Sequence, residues 1–249
     1  MDHPVTIVTG ASRGIGAATA LHLARAGHHV VVNFGHDGTA AEQVVVAVAA
    51  EGGRAVPVQA DVTEHEQVEH LFAVARETFG PVTGLVNNAG TTALIADLAD
   101  TPVDVVRQVL DLNLLATVLC ARRAAQLMST SRGGTGGAIV NISSAAATLG
   151  SAHEYVHYAA AKAGVEALTV GLAKELAAEG VRVNAVAPGV VRTGIHAAAG
   201  DPDRAGRAAG RIPLGRAGEP TEIAPAIAWL LGDEASYVTG AILRVAGGL

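Results

Sequence analysis

The feature that most constrains this chain is a strand that runs through glycines straight into a helix. Residues 5–9, Val-Thr-Ile-Val-Thr, are short, apolar and β-branched, the pattern of a buried strand. Gly10-Ala-Ser-Arg-Gly14-Ile-Gly16 follows, and residues 17–26 return to the apolar spacing of a helix. Strand, glycine turn and helix open a βα unit, the kind of crossover that parallel strands require. Gly10 permits the tight turn. Gly14 and Gly16 let backbone approach a pyrophosphate, whose charge would rest at the helix N-terminus. The spacing is Gly-x3-Gly-x-Gly, not the Gly-x-Gly-x-x-Gly of the commonest dinucleotide fingerprint, so a bare strand-to-helix turn is the competing reading.

The alternation continues to the C-terminus. Apolar runs at residues 29–33, 54–59, 84–86, 138–142, 181–186 and 241–245 read as further strands. Helical spacing at 39–51, 64–79, 101–128, 158–172 and 220–231 lies between them, with Gly52-Gly53, Gly80-Pro81 and Pro188-Gly189 as stops. Seven strands alternating with helices predict an α/β chain: a Rossmann fold whose doubly wound, seven-stranded parallel sheet is covered on both faces. No linker or repeat divides the chain, so residues 1–249 read as one domain. Residues 192–211 lack an apolar stripe, and the stretch 190–218 reads as a mobile lid over a substrate. Asn113, among Leu and Val in the 101–128 stretch, is either a satisfied core polar group or the mark of a local break.

Composition narrows the partners. Half the residues are hydrophobic, enough for a large core, yet no run approaches the ~20 apolar residues of a membrane helix. The first residues lead straight into the first strand, leaving no room for a signal peptide, and a lone Cys120 excludes an intrachain disulfide or a zinc cage. These features point to the cytoplasm. A net charge of −6, scattered basic residues and 3% aromatics argue against nucleic acid as a partner. The ten histidines show no ligand spacing, so no metal is expected; His153, His157 and His196 read as loop or surface residues before substrate contacts.

The chemistry gathers in the second half. Tyr158 and Lys162 are four apart in a helical run and therefore share a face. A phenol titrates near ~10, and an ammonium about 4 Å away at an effective dielectric of ~20 favours phenolate by roughly 4 kcal/mol, about 3 pKa units. Such a pair can exchange a proton with a substrate oxygen near neutral pH. Asn87-Asn88-Ala89-Gly90 stands where the fourth strand ends, a place suited to a ligand crevice. The second strand ends Asn33-Phe34 with no acid before Asp37, and Arg13 lies in the glycine turn. A missing carboxylate plus a guanidinium favours NADP over NAD, although Asp37 could reach back.

Thr9–Gly16, Asn87–Gly90, Ser144, Tyr158 with Lys162, and Pro188-Gly189, in this order, resemble the short-chain dehydrogenase/reductase family over essentially the whole chain. The glycine spacing is that family's own variant. The resemblance implies a catalytic set of Asn113, Ser144, Tyr158 and Lys162. Tyr158 is then the acid/base, Ser144 bonds the same substrate oxygen, Lys162 tunes the phenol and holds the nicotinamide ribose, and Asn113 holds a water linked to Lys162. It implies cofactor contacts from Gly10, Ser12, Arg13, Gly14, Ile15 and Gly16 in the turn. Asn33 and Phe34 at the second strand, Asp61 and Val62 at the adenine, and Asn88, Ala89 and Gly90 along the cleft would add to these. Pro188, Gly189, Val191 and Thr193 would position the carboxamide.

Three departures stand out. Ser144 and Tyr158 are 158 − 144 = 14 positions apart, one more than in many members, which lengthens the loop 145–157 beside the substrate. Ser143 rivals Ser144, and Tyr155 rivals Tyr158, but Tyr155 has Ala159 rather than a lysine four residues on. Ala246 stands where many members carry Asp. The implied activity is an NADP(H)-preferring reduction of a ketone or 3-oxoacyl thioester, with NAD(H) possible. An NAD-dependent sugar or secondary-alcohol dehydrogenase, and a non-catalytic dinucleotide-binding regulator, are the alternatives. Thr91, Thr92, Leu94, Ile95, Ala146, Leu149 and Val190 would wall a small pocket, and Arg122, Arg123 and Arg132 are candidates to meet a carrier-bound acyl group. Surplus apolar positions at 101–128, with Ala159, Ala163, Ala167 and Val170, predict a homotetramer.

Overall fold

The computed structural model describes residues 3–249, apart from the side chains of residues 196 and 198. Its seven strands are β1 (Val5–Val8), β2 (His29–Phe34), β3 (Arg54–Gln59), β4 (Val82–Asn87), β5 (Gly137–Ile142), β6 (Val181–Pro188) and β7 (Ile242–Val245). They form one all-parallel sheet in the order β3-β2-β1-β4-β5-β6-β7. The β1, β4 and β5 strands are buried almost throughout because helices cover both faces. On one face α3 (His65–Phe79), α5 (Ala116–Met128) and α7 (Val156–Leu176), the last preceded by the short α6 (Ala146–Leu149), enclose Ile7, Phe72, Leu85, Met128 and Ile139. On the other, α1 (Gly14–Arg25), α2 (Gly38–Ala50) and α10 (Pro220–Leu231) enclose Val8, Leu23, Val32, Val86 and Ile227.

Strand order reverses between β1 and β4, so the crossovers leave this gap in opposite directions and open a crevice at the strands' C-terminal ends. The expected single-domain Rossmann architecture is therefore present.

Two expectations are refined. The stretch 101–128 is not one helix: α4 (Val103–Leu110) passes through a π-helical turn, Asp111–Leu115, into α5. Asn113 marks a local break, and its buried side chain is only half satisfied, with the amide N–H groups paired. The stretch 192–211 carries two short helices, α8 (Ile195–Ala198) and α9 (Arg204–Ala208). Scattered apolar residues suffice there, since Ala205, Ile212 and Ala217 bury against Val190, Ala208 and Leu249.

Candidate active site

The C-terminal ends of β1, β4, β5 and β6 open on one cleft of about 1000 Å³ that runs from the glycine turn to the catalytic helix α7. At the glycine turn, Gly10 and Gly14 adopt φ of +60° and +57°, a left-handed backbone that favours glycine. A methyl group on Gly10 would also stand 2.9 Å from the Ala89 Cα. The turn is knitted to β4 by Asn88, whose amide donates to the carbonyls of Thr9 (2.9 Å) and Gly10 (3.1 Å). In return the Thr9 hydroxyl accepts from the Asn88 and Ala89 amides at 2.9 and 3.0 Å. Asn33 performs the same service toward β2 and β3: its carbonyl oxygen accepts from Gly10 N–H at 3.2 Å, and its amide donates to Val58 and Ala60.

Ser12, Arg13, Gly14, Ile15, Asp61, Val62, Asn88, Ala89 and Gly90 all line this half of the cleft, as expected. Two expected contacts do not. Gly16 is buried, and a methyl group there would meet both Asn88 Nδ2 and the Gly10 carbonyl at 2.6 Å. Its missing side chain serves the packing of α1 on the turn. Phe34 follows a cleft-facing Asn33, so strand alternation turns its ring away, against Gly38 of α2 and the core behind it. Arg13 reaches Asp37 at 3.2 Å, both largely in solvent, and Asp37 also caps α2 by accepting from Ala40 N–H.

The other half of the cleft belongs to α7. Tyr158 and Lys162 are buried on its inner face. The Lys162 ammonium donates to the Ile142 carbonyl at the end of β5 (2.8 Å) and lies 5.7 Å from the centre of the Tyr158 ring. Ser144 stands beside the Tyr158 phenol, and its hydroxyl accepts from Ala146 N–H at 3.2 Å. The rival Ser143 is spent elsewhere, donating to Glu166 Oε1 at 2.8 Å. The rival Tyr155 accepts from Arg204 at 2.8 Å and stacks edge-on against Tyr158 with ring centres 5.3 Å apart.

Asn113 joins this group from the π turn. Its amide donates to the carbonyls of Thr91 (2.7 Å) and Val109 (2.8 Å), leaving Oδ1 buried without a partner among the described residues. That oxygen points at Gly90, where a methyl group would stand 2.6 Å from it and 3.6 Å from Lys162 Nζ. Gly90 thus keeps a gap between Asn113 and Lys162, of the kind that an ordered water fills.

The expected Tyr158–Lys162 electrostatics is corrected. Burial pushes the Tyr158 phenol up to about 12, with the Ser144 hydroxyl a smaller opposing effect, and pushes Lys162 down to about 8. Desolvation outweighs the cation's pull because the ammonium rests on a backbone carbonyl rather than beside the phenol oxygen.

Pro188, Gly189, Val191 and Thr193 line the cleft opposite α7. Of the expected pocket wall, Thr91, Thr92, Ala146, Leu149 and Val190 are in place. Leu94 is exposed, and Ile95 packs behind Tyr155 and Tyr158. The cleft does not include Arg122, Arg123 or Arg132, and Arg123 pairs with Glu69 at 2.9 Å. His153 bonds Asp97 at 2.8 Å, His157 is buried, and the side chain of His196 lies outside the described ones.

The arrangement fits a nicotinamide dinucleotide. The positive-φ glycine turn and the N-terminus of α1 suit a pyrophosphate, and Lys162, Tyr158 and Ser144 gather at the far end of the same cleft. Among the described residues there is no cluster of three metal-ligating side chains, and no helix is long and apolar enough to cross a membrane.

Comparison with known proteins agrees. A family model described as enoyl-(acyl carrier protein) reductase matches residues 10–249. An uncharacterised oxidoreductase of Escherichia coli strain K12 is 44% identical over 98% of this chain and 99% of its own. A 3-oxoacyl-[acyl-carrier-protein] reductase of Synechocystis is 42% identical over 98% of this chain and 96% of its own. The crystal structure of a short-chain type dehydrogenase/reductase from Mycobacterium marinum superposes with a TM-score of 0.92, at 33% identity, over 98% of this chain and 94% of that one. The chain belongs to the short-chain dehydrogenase/reductase family and is an oxidoreductase.

The burial of Lys162 makes stability depend on pH in a defined direction. Between about pH 8 and the ordinary lysine value of 10.5, the unfolded chain holds a proton at Lys162 that the folded chain has released. Stability contributed by this residue therefore rises with pH through that window. The urea midpoint of the ligand-free Lys162→Met variant should exceed that of wild type by most at pH 7, and the gap should narrow toward pH 9.5. A gap that stays constant over this range contradicts the burial argument.

Proposed function

We propose that the protein is an NADP(H)-dependent oxidoreductase that reduces a ketone or 3-oxoacyl thioester to the secondary alcohol. The observation that carries the reading is the convergence of Asn113, Ser144, Tyr158 and Lys162 in the cleft that begins at the glycine turn. The chemistry a nicotinamide supplies when bound is hydride transfer to or from the substrate carbon. This chain's residues supply the rest. Ser144 and Tyr158 donate hydrogen bonds to the carbonyl oxygen, which becomes negative as the carbon is reduced. Tyr158 then gives that oxygen its proton, since even a phenol raised by burial is a stronger acid than the secondary alcohol it forms. Lys162 holds the ribose hydroxyls and keeps positive charge beside the phenolate that remains. Asn113 Oδ1 holds the water that returns a proton through Lys162.

The preference for NADP(H) rests on Arg13, which stands in the glycine turn where the second strand offers no carboxylate of its own. Its bond to Asp37 is exposed and therefore weak, worth about 0–1 kcal/mol, so a 2′-phosphate can displace it. Asp37 also lines the cleft, and that one observation favours the second reading, an NAD-dependent sugar or secondary-alcohol dehydrogenase. A non-catalytic dinucleotide-binding role is disfavoured by the complete catalytic set. We place the enzyme in the cytoplasm, with the 190–218 segment as its substrate lid.

The assembly proposed is a homotetramer. Leu110 and Leu115 (36% and 42% exposed) on the α4–α5 unit, and Ala163, Ala167 and Val170 on α7, form an apolar outer surface that a second copy would cover. Val109 and Ala159, expected there too, are instead buried within the chain.

Tyr158→Phe should leave the fold and NADPH binding intact while turnover falls at least ~100-fold; most activity retained would transfer the role to another group. Arg13→Ala should weaken NADPH by roughly 10- to 100-fold and NADH little; equal losses would show that Arg13 does not read the phosphate. Light scattering at micromolar concentration should give the tetramer mass, and a fully active monomer would defeat the assembly.

A further inference from the structure

One polar cluster in the cleft has no part in this chemistry. Glu154, in the loop before α7, meets Arg204, the first residue of α9. Arg204 Nη1 donates to Glu154 Oε1 at 2.9 Å and Nη2 to Oε2 at 2.6 Å, a two-point pair. Nη2 also donates to Tyr155 Oη at 2.8 Å, and the guanidinium lies 5.1 Å from the centre of that ring. Tyr155 packs in turn on Tyr158, so the pair stands one aromatic ring from the proton donor. Both side chains line the cleft and are mostly out of water, 14% and 27% exposed.

The pairing decides what this end of the cleft can hold. The guanidinium's charge is matched by Glu154 and its two terminal nitrogens are already engaged, which leaves only Nε without a partner among the described residues. A substrate carboxylate placed here would face the Glu154 carboxylate at short range. Drawing Arg204 away would leave Glu154 desolvated and unpaired, which is strongly unfavourable for a buried pair. A neutral hydroxyl meets no such obstacle. Each Glu154 oxygen keeps a further acceptor position, and the Thr92 hydroxyl, buried in the same cleft, has no partner among the described residues. Asp111 and Arg211 also line the cleft, both exposed and of opposite sign, so they add little net field.

We propose that the Glu154–Arg204 pair determines substrate specificity by selecting neutral, hydroxyl-bearing carbonyl compounds and rejecting those that carry a carboxylate at the end remote from the reacting carbon. This rests on the reading of the cleft as a carbonyl-reduction site.

The test uses two methyl ketones that differ at the remote end, 5-hydroxypentan-2-one and 4-oxopentanoate. Wild type should show kcat/KM at least ~10-fold higher for the hydroxyketone, the scale of a charge-assisted hydrogen bond gained or lost. Glu154→Gln frees the Arg204 charge and should raise kcat/KM for 4-oxopentanoate roughly 10-fold while lowering it for the hydroxyketone. Arg204→Gln should deepen the rejection of the acid. A wild-type preference for 4-oxopentanoate, or a Glu154→Gln variant that changes both ketones by the same factor, overturns the proposal; the second result would mark the pair as purely structural. Calorimetric binding of pentane-1,4-diol against 4-hydroxypentanoate to the NADP⁺-loaded protein gives the same comparison without turnover. Absence of reduction with selective diol binding would therefore count against the carbonyl-reduction reading alone, and equal binding of the two against this one.

Discussion

Lys162 is a cation taken out of water and held by the carbonyl of Ile142. Much of the site follows from that arrangement. Burying an ammonium is costly, and its depressed pKa expresses the cost. The carbonyl that answers it lies at the C-terminal end of β5, so the parallel sheet fixes where the charge can sit. Gly90 gives up a side chain to leave space beside it, and Asn113 turns an unpartnered oxygen into that space from a π turn. A π turn interrupts the regular i→i−4 ladder, which frees the Val109 carbonyl to receive the Asn113 amide.

The rest of the cleft is held by polar clamps that do no chemistry. Asn88 and Asn33 use their amides to tie the glycine turn to the ends of β1, β2, β3 and β4. Asn87 and Asn141 pair across β4 and β5 at 2.9 Å, and Asn141 continues to Thr169 on α7 at 2.9 Å. Ser143 and Glu166 make a second link between β5 and α7. The strand that leads into Ser144 and the helix that carries Tyr158 and Lys162 are thereby locked in register. Satisfied buried networks of this kind specify one arrangement because any other leaves amides unpaired.

How far the sequence could be read depends on whether the signal was local. β-branched runs and glycine stops are local, so the order of elements and the parallel sheet were legible. Tyr158 and Lys162 were legible as a pair because helical periodicity places them. The direction in which their protons shift was not, since it depends on burial, and burial is set by strands and helices far along the chain. Phe34 and Gly16 were misplaced for a related reason: the pattern located the turn but not which atoms face outward from it. Glu154 and Arg204 are 50 positions apart in segments with no periodic pattern, and only the folded chain brings them together. The loop 145–157 carried a hint in its extra residue, which marked where this chain would differ but not how.

In the proposed enzyme one cleft joins the glycine turn to the Tyr158–Lys162 site, with a nicotinamide and a carbonyl oxygen meeting at Tyr158. A crystal structure of the NADP⁺ complex tests this most directly. The nicotinamide ring should lie between Pro188–Thr193 and Tyr158, with its ribose hydroxyls on Lys162 and the adenosine end beside Arg13. A dinucleotide that leaves Tyr158 and Lys162 untouched, or that binds outside this cleft, would contradict it.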